Sequence, residues 1–554
     1  MRKCLGELII VPYVCHMAFL RAEKKKSGTY LRIVASKKQA GKVSQQTLYS
    51  LGKVEDYTAA QLEAIAAKLL KHAGKSIDEL LANSLKELAR YNYGYPLLCR
   101  HLWRKFSLDR FFKKKLAGRK IKFDISDTLL LLLCERMSDP VSKLSTYRRQ
   151  QDYIGIGEVG LQHCYRSLDF LADISVDLQD HLYHQQRDLF NITLDVVFYD
   201  VTTLYFDAQY PQGEDTLRQK GYSKDGKAHK LQVVLALLVD KQRNPVGYQL
   251  YPGNTYEGDT FKDGIKTLKE RYQIDKVVIV ADRGMLSEKN IDYILAAGYD
   301  YIIGERLKQL PTALQETLID SSDHIPLAVT DTDEAFTYRT ATHKGRKVVC
   351  TYSAKRAKKD AYERTKLVEK AQKLIDTPGL ITQKQKKGAQ KYISSASVQG
   401  ADSSYQLDEQ RIQRDRKYDG FLAISTSDDQ LPVDQLLSQY NNLFEVEHAF
   451  RTLKSVIEIR PMFHWTDNRI RGHVALCFLA YTFINYLTKG LKISEPELQR
   501  ILDKMQLSKV CNGEQEPFYL RAAIDQTTAD MINKLTLVVP KDTSSQSVVN
   551  QMFT

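Results

Sequence analysis

The chain has 554 residues, of which 43% are hydrophobic and 27% charged, enough apolar material for several folded domains and too much for a disordered polymer. Lys and Arg total 81 against 67 Asp and Glu, a formal charge of +14, which suits a polyanionic partner or, more blandly, solubility. The eight cysteines are scattered without a C-x-x-C pair or Cys/His ligand box, which argues against a zinc finger and fits the reduced, buried thiols of a cytosolic protein.

Arg2 and Lys3 precede an apolar stretch, Leu5 to Leu20, that imitates a signal peptide. Glu7, Pro12 and His16 interrupt it and no small-residue cleavage site follows, so the chain is expected in the cytoplasm. Thr29 to Val34 and Gln46 to Leu51 read as short strands and Ala59 to Leu88 as helix, making residues 1–95 a small α+β module. Residues 96–190 read as a helical block. Within it, Asp127 to Met137 joins Val141 to Arg149 through Ser138, Asp139 and Pro140, a good helix start. With Lys143, Arg148 and Arg149 on the second helix, the pair fits either a DNA-reading helix-turn-helix or an ordinary helical hairpin.

From Leu194 the pattern turns to strands: Leu194 to Asp200 with Thr203 to Phe206, then Leu231 to Val239 and Val246 to Tyr251 joined by a tight turn. A helix from Thr260 to Tyr272, the apolar run Lys276 to Ala281, a helix near Glu288 to Ala297 and the strand Tyr299 to Gly304 follow. Three antiparallel strands and then alternating helix and strand is the order of a ribonuclease-H-like α/β core, here residues 191–304. Residues 305–418 break that rhythm and read as a β-rich inserted domain. Its basic clusters, Lys355 to Lys359 and Lys384 to Lys391, are solvated charge or phosphate grips. The core resumes over residues 419–490, which include the apolar run Val474 to Leu487, too short for a membrane span and expected to be a buried helix. Residues 491–554 form a C-terminal tail region.

A long helix is expected from Val433, with Leu436, Leu437, Leu443, Phe444, Phe450, Leu453 and Ile457 as its apolar stripe. Glu447 falls inside that stripe. Tyr440, Glu447 and Lys454 are spaced in sevens and would share one face. A carboxylate so placed either pairs with a neighbouring charge or binds a metal. Asp200 and Asp282 each end an apolar strand, where α/β proteins gather site residues, although either alone could merely cap a turn. Three carboxylates together would repel unless divalent cations lay between them, and oxygen ligands favour Mg²⁺ or Mn²⁺.

Tyr-Asp-Val-Thr-Thr-Leu-Tyr-Phe at 199–206, Tyr-Pro-Gly-Asn-Thr at 251–255, Ala-Asp-Arg-Gly-Met at 281–285 and Val-Glu-His-Ala-Phe-Arg-Thr-Leu-Lys at 446–454 resemble bacterial insertion-sequence transposases of the DDE type, whose signature helix carries Tyr, Arg, Glu and Lys. Ser-Asp-Pro-Val-Ser-Lys-Leu at 138–144 extends the resemblance, which covers the chain from about Met17, with the residues before it looking like an over-extended start. The resemblance implies that Asp200, Asp282 and Glu447 are the catalytic, metal-binding carboxylates, and that Tyr440 and Lys454 contact the DNA backbone. Leu443 stands where the signature has Arg, leaving Arg451 or Arg469 as replacements. It further implies two Mg²⁺ or Mn²⁺ ions about 3.5 to 4 Å apart, water attack that frees a 3′-hydroxyl, transfer of that hydroxyl to target DNA, and second-strand cleavage through a hairpin. The partners implied are double-stranded DNA, at element ends and target, and a second copy of the chain on that DNA, in the cytoplasm and associated with the nucleoid. The alternatives are a nuclease or junction resolvase on the same core, which would cleave without joining, and a catalytically silent DNA-binding derivative.

Overall fold

The computed structural model describes residues 18–39, 42–74, 85–190, 196–206, 216–221, 230–272, 277–281, 287–327, 336–377, 388–396, 404–460, 462–512 and 516–553. They divide into two compact units, residues 1–89 with 509–518, and residues 90–508 with 519–554.

In the first unit, Ala18–Lys25, Gly28–Gln39 and Lys42–Lys53 make an antiparallel meander. The two expected strands are there, longer than expected, and a third, Ala18–Lys25, precedes them, starting at the end of the apolar stretch that imitates a signal peptide. The helix Ala59–His72 starts at a capping box: the Thr58 side chain accepts from Gln61 N, and the Gln61 side chain accepts from Thr58 N. The expected helix to Leu88 stops at His72. Gly74, at φ +70°, supplies the left-handed conformation that ends helices, and Leu85–Asn92 is a strand.

The second unit is mixed α/β. Its ten-stranded sheet runs Ile325–Leu327, Phe336–His343, Arg346–Ser353, Phe421–Thr426, Asp300–Glu305, Val278–Ala281, Val196–Tyr205, Leu231–Asp240 and Gln219–Lys220, with Pro245–Pro252 also paired to Leu231–Asp240. Val196–Tyr205 lies parallel to Val278–Ala281 and antiparallel to Leu231–Asp240. Strands from the stretch expected to be inserted therefore continue the same sheet, because Arg346–Ser353 pairs antiparallel with Phe421–Thr426.

Alternation along Val196–Tyr205 assigns each residue to a face. Val197, Tyr199 and Val201 pack with Phe261, Ile291 and Ile294 from the helices Glu257–Lys266 and Glu288–Ala296. Phe198 and Leu204 belong to the larger core, with Val446, Phe450 and Leu453 and the helical block of residues 94–190. Asp200 has the parity of this second set. The block centres on Asp467–Leu491, whose N-cap Thr466 accepts from Arg469 N. By length and composition alone this helix could cross a membrane, yet 72% of its apolar window is buried in the protein. It is the expected buried helix, extended at both ends. It crosses Leu161–Asp173 so closely that a Cβ on Gly472 would stand 1.9 Å from the Leu168 carbonyl oxygen. The C-terminal residues are folded too: Val549 and Phe553, on the helix Gln546–Phe553, are buried in the same core.

Candidate active site

Asp200 is the first residue of its strand that is not fully buried, after four buried residues. Its Oδ1 accepts from Val201 N at 2.7 Å, and it sits opposite Leu237 on the neighbouring strand. Above that face of the sheet runs the segment expected to be one long helix from Val433. It is broken: Val433–Asn441 and Phe444–Arg451 are separate α-helices, and Thr452–Val456 is a π-turn. The buried stripe is Val446, Phe450, Leu453 and Ile457, so Glu447 stands beside it and is exposed rather than core-facing. The helix is held from outside the sheet as well. Glu495 accepts from Thr452 Oγ1 at 3.0 Å and lies 3.8 Å from His448 Nδ1, and Glu445 pairs with Arg243 at 2.6 Å.

Asp200, Thr202, Thr203, Glu447, Arg451 and Lys454 line a single cavity of about 350 Å³. Two carboxylates and two hydroxyls offer oxygen donors that suit a hard divalent cation, and two cations beside them suit a phosphate. The Lys454 ammonium lies 5.5 Å from the Phe450 ring centroid. Tyr440 lines a different cavity, with Glu305, Arg306, Lys308 and Tyr418. The seven-residue spacing failed to bring it to Glu447 because the helix breaks at Asn442 and Leu443. Leu443 packs against the core. Of its two candidate replacements, Arg451 is at the cavity, whereas Arg469 is engaged elsewhere, 3.6 Å from Asp169 and over the Tyr165 ring. Asp282, Lys384, Lys386 and Lys387 lie outside the described residues. The last described residue before Asp282, Ala281, is opposite Tyr199. Thr202 and Thr203 were not singled out from sequence, although they stand in the Asp-Val-Thr-Thr motif.

In the two helices considered for DNA reading, Ile125–Met137 and Lys143–Arg149, Lys143 is buried. Arg149 pairs with Asp139 at 2.7 Å and with Asp152 at 3.7 Å. Among the described residues, Arg148 alone of the three is exposed without an ion pair, an arrangement closer to a helical hairpin than to a reading helix.

A transposase DDE domain model matches residues 193–483, more than half the chain. The chain therefore belongs to the DDE-domain transposases, enzymes that cleave DNA and transfer its strands. Residues 20–82 match the N-terminal domain of the IS1634 family of transposases, so this is an insertion-sequence transposase. No curated protein matches. Among solved structures, the piggyBac transposase synaptic complex with hairpin DNA is 12% identical at a TM-score of 0.36, over 74% of this chain and 80% of that one. The Mos1 mariner paired-end complex with Mn is 12% identical at 0.13, over 44% and 78%. Both scores are too low to define a shared fold.

Proposed function

We propose that Asp200, Asp282 and Glu447 are the catalytic carboxylates of a ribonuclease-H-like core that cuts the ends of its element and joins the freed 3′-hydroxyl to target DNA. The observation that carries this reading is the convergence of Asp200, from a central strand, and Glu447, from a helix far along the sequence, on one cavity that also holds Arg451 and Lys454. The strand order supports the core assignment: antiparallel pairs built on Val196–Tyr205 and Leu231–Asp240, then the parallel strands Val278–Ala281 and Asp300–Glu305.

Two Mg²⁺ or Mn²⁺ ions held by the three carboxylates would activate the attacking oxygen and stabilise the leaving one. Asp200, fixed by the sheet, sets the position of the donor set. Arg451 and Lys454 orient the scissile phosphate by charge-assisted contacts on the same wall. Tyr440, in the neighbouring cavity, contacts the DNA backbone further from the reacting phosphate. Pairing two element ends calls for two copies of the chain on DNA, acting in the cytoplasm at the nucleoid.

The test is cleavage and joining of the flanking element's end DNA with Mg²⁺ by the wild type and by Glu447→Gln. Loss of both reactions with end binding retained is expected. A variant as active as the wild type would remove Glu447 from the site.

A further inference from the structure

A second concave surface lies in the helical block, away from the cavity just described. The segment Arg119, Lys120, Lys122 and Phe123 faces Arg166 and His163 of Leu161–Asp173 across a groove of about 720 Å³ that Asn468 also lines. Phe123 stacks on His163, with ring centroids 4.2 Å apart and planes 3° apart, giving the groove a rigid flat wall. Two acids also line it, and both are occupied: Asp173 by Arg119 at 2.9 Å and Asp169 by Arg469 at 3.6 Å. Lys120, Lys122 and Arg166 are exposed and have no ion-pair partner among the described residues. The surplus charge in this groove is thus positive.

Chain neighbours and contacts lead from the groove to the end of the Asp200 strand. Asn468 is the second residue of the helix whose first, Asp467, accepts from Leu217 N at 3.1 Å. The next side chain, Arg218, is buried with its guanidinium 5.7 Å from both the Phe206 and the Trp465 rings, and it props a Trp465 indole that is 63% exposed. Tyr205 ends the Asp200 strand and Phe206 follows it, and Arg460 and Lys230 lie over Tyr205 at 4.9 and 5.3 Å. From Asp200 to Phe206 an extended strand advances about 20 Å, less than the roughly 34 Å of one duplex turn.

We propose that this groove seats the phosphate backbone of double-stranded DNA that leaves the cavity past Tyr205 and Trp465, with Lys120, Lys122 and Arg166 as its phosphate contacts. The proposal rests on the transposase reading but not on the roles of Asp200 or Glu447. Such contacts position a duplex without reading its sequence.

The test is the salt dependence of binding to a duplex carrying the element end, compared between the wild type and Lys120→Ala/Lys122→Ala/Arg166→Ala. Three lost phosphate contacts should flatten the slope of log affinity against log salt by about 3, for the element end and an unrelated duplex alike. The charge-conserving set Lys120→Arg/Lys122→Arg/Arg166→Lys should keep the wild-type slope and serves as the control for folding. A wild-type slope in the alanine variant, or an equal loss in the charge-conserving one, would overturn the proposal. Because binding reads no chemistry, neither result depends on the outcome of the Glu447→Gln experiment.

Discussion

The Arg136 guanidinium reaches out of the helical block and donates to the carbonyl oxygen of Ile457 at 3.2 Å. It also donates to Glu458 O at 3.3 Å and Val141 O at 3.1 Å. Ile457 and Glu458 close the segment that begins at Glu447, and their carbonyls are of the kind a helix end leaves without intrahelical donors. A buried cation there also meets the negative end of the helix dipole. His473 Nε2 holds the next carbonyl, Ile459 O, at 3.4 Å. Arg136→Met should cost about 3 kcal/mol or more of stability, since hydrogen bonds from charged groups contribute roughly 1.5–3 kcal/mol each. It should also slow cleavage while sparing end binding, and Arg136→Lys should recover part of both. Urea denaturation alongside a cleavage assay checks this, and an unchanged unfolding midpoint would contradict it.

At the crossing of Asp467–Leu491 with Leu161–Asp173, Gly472→Ala places a methyl group against backbone that cannot rotate aside. The helices must separate, with an expected loss of about 1–3 kcal/mol or more. Thermal unfolding reads it directly, and a melting temperature equal to the wild type would show that the crossing is looser than described.

Burial, and then the Arg136 guanidinium beside it, push the Lys143 amine down to about 7. Glu135, Cys164 and Cys477 oppose the shift, and His464 and His473 also feel this amine. An unfolded lysine titrates near 10.4, so between about pH 7 and pH 10 the unfolded chain holds a proton that the folded chain lacks. Stability should therefore rise with pH across that window, with the burial penalty fully present below it. Lys143→Met should flatten the rise and raise stability at neutral and lower pH. Parallel wild-type and variant curves of unfolding free energy against pH would refute this.

Chelation of divalent cations should abolish cleavage and joining yet leave end binding largely intact, because affinity comes mainly from Lys and Arg contacts to phosphates. Gel shift and cleavage on one substrate, with and without EDTA, separate the two. Cleavage that persists in EDTA would count against the carboxylate chemistry.

Much of this architecture was legible because its signals are periodic. The strand carrying Asp200, the hairpin Leu231–Asp240 with Pro245–Pro252, and the buried helix all follow from apolar pattern and turn chemistry, although that strand runs on to Tyr205 and leaves Asp200 in its middle rather than at its end. The readings that failed depended on continuity. Counting sevens from Tyr440 to Lys454 assumes an unbroken helix, and a break at Asn442 with a π-turn at Thr452 removes that assumption. Glu447 was read as core-facing for the same reason. Lys143 was grouped with Arg148 and Arg149 on a helix that fitted either DNA reading or a plain hairpin, and only the packing of helices around it shows that it is buried. The groove at Arg119 to Phe123 draws its cations from a loop and a helix separated in sequence, so no local pattern announced it.

The sheet carries one further consequence. Phe421–Thr426 is paired on one side by Asp300–Glu305 and on the other by Arg346–Ser353. Excising residues 305–418 to obtain a minimal catalytic fragment would leave Phe421–Thr426 as a bare sheet margin, with its amides and carbonyls open to any extended chain. A fragment so trimmed should self-associate through that margin, and this stretch is a retaining wall of the catalytic sheet rather than a detachable ornament.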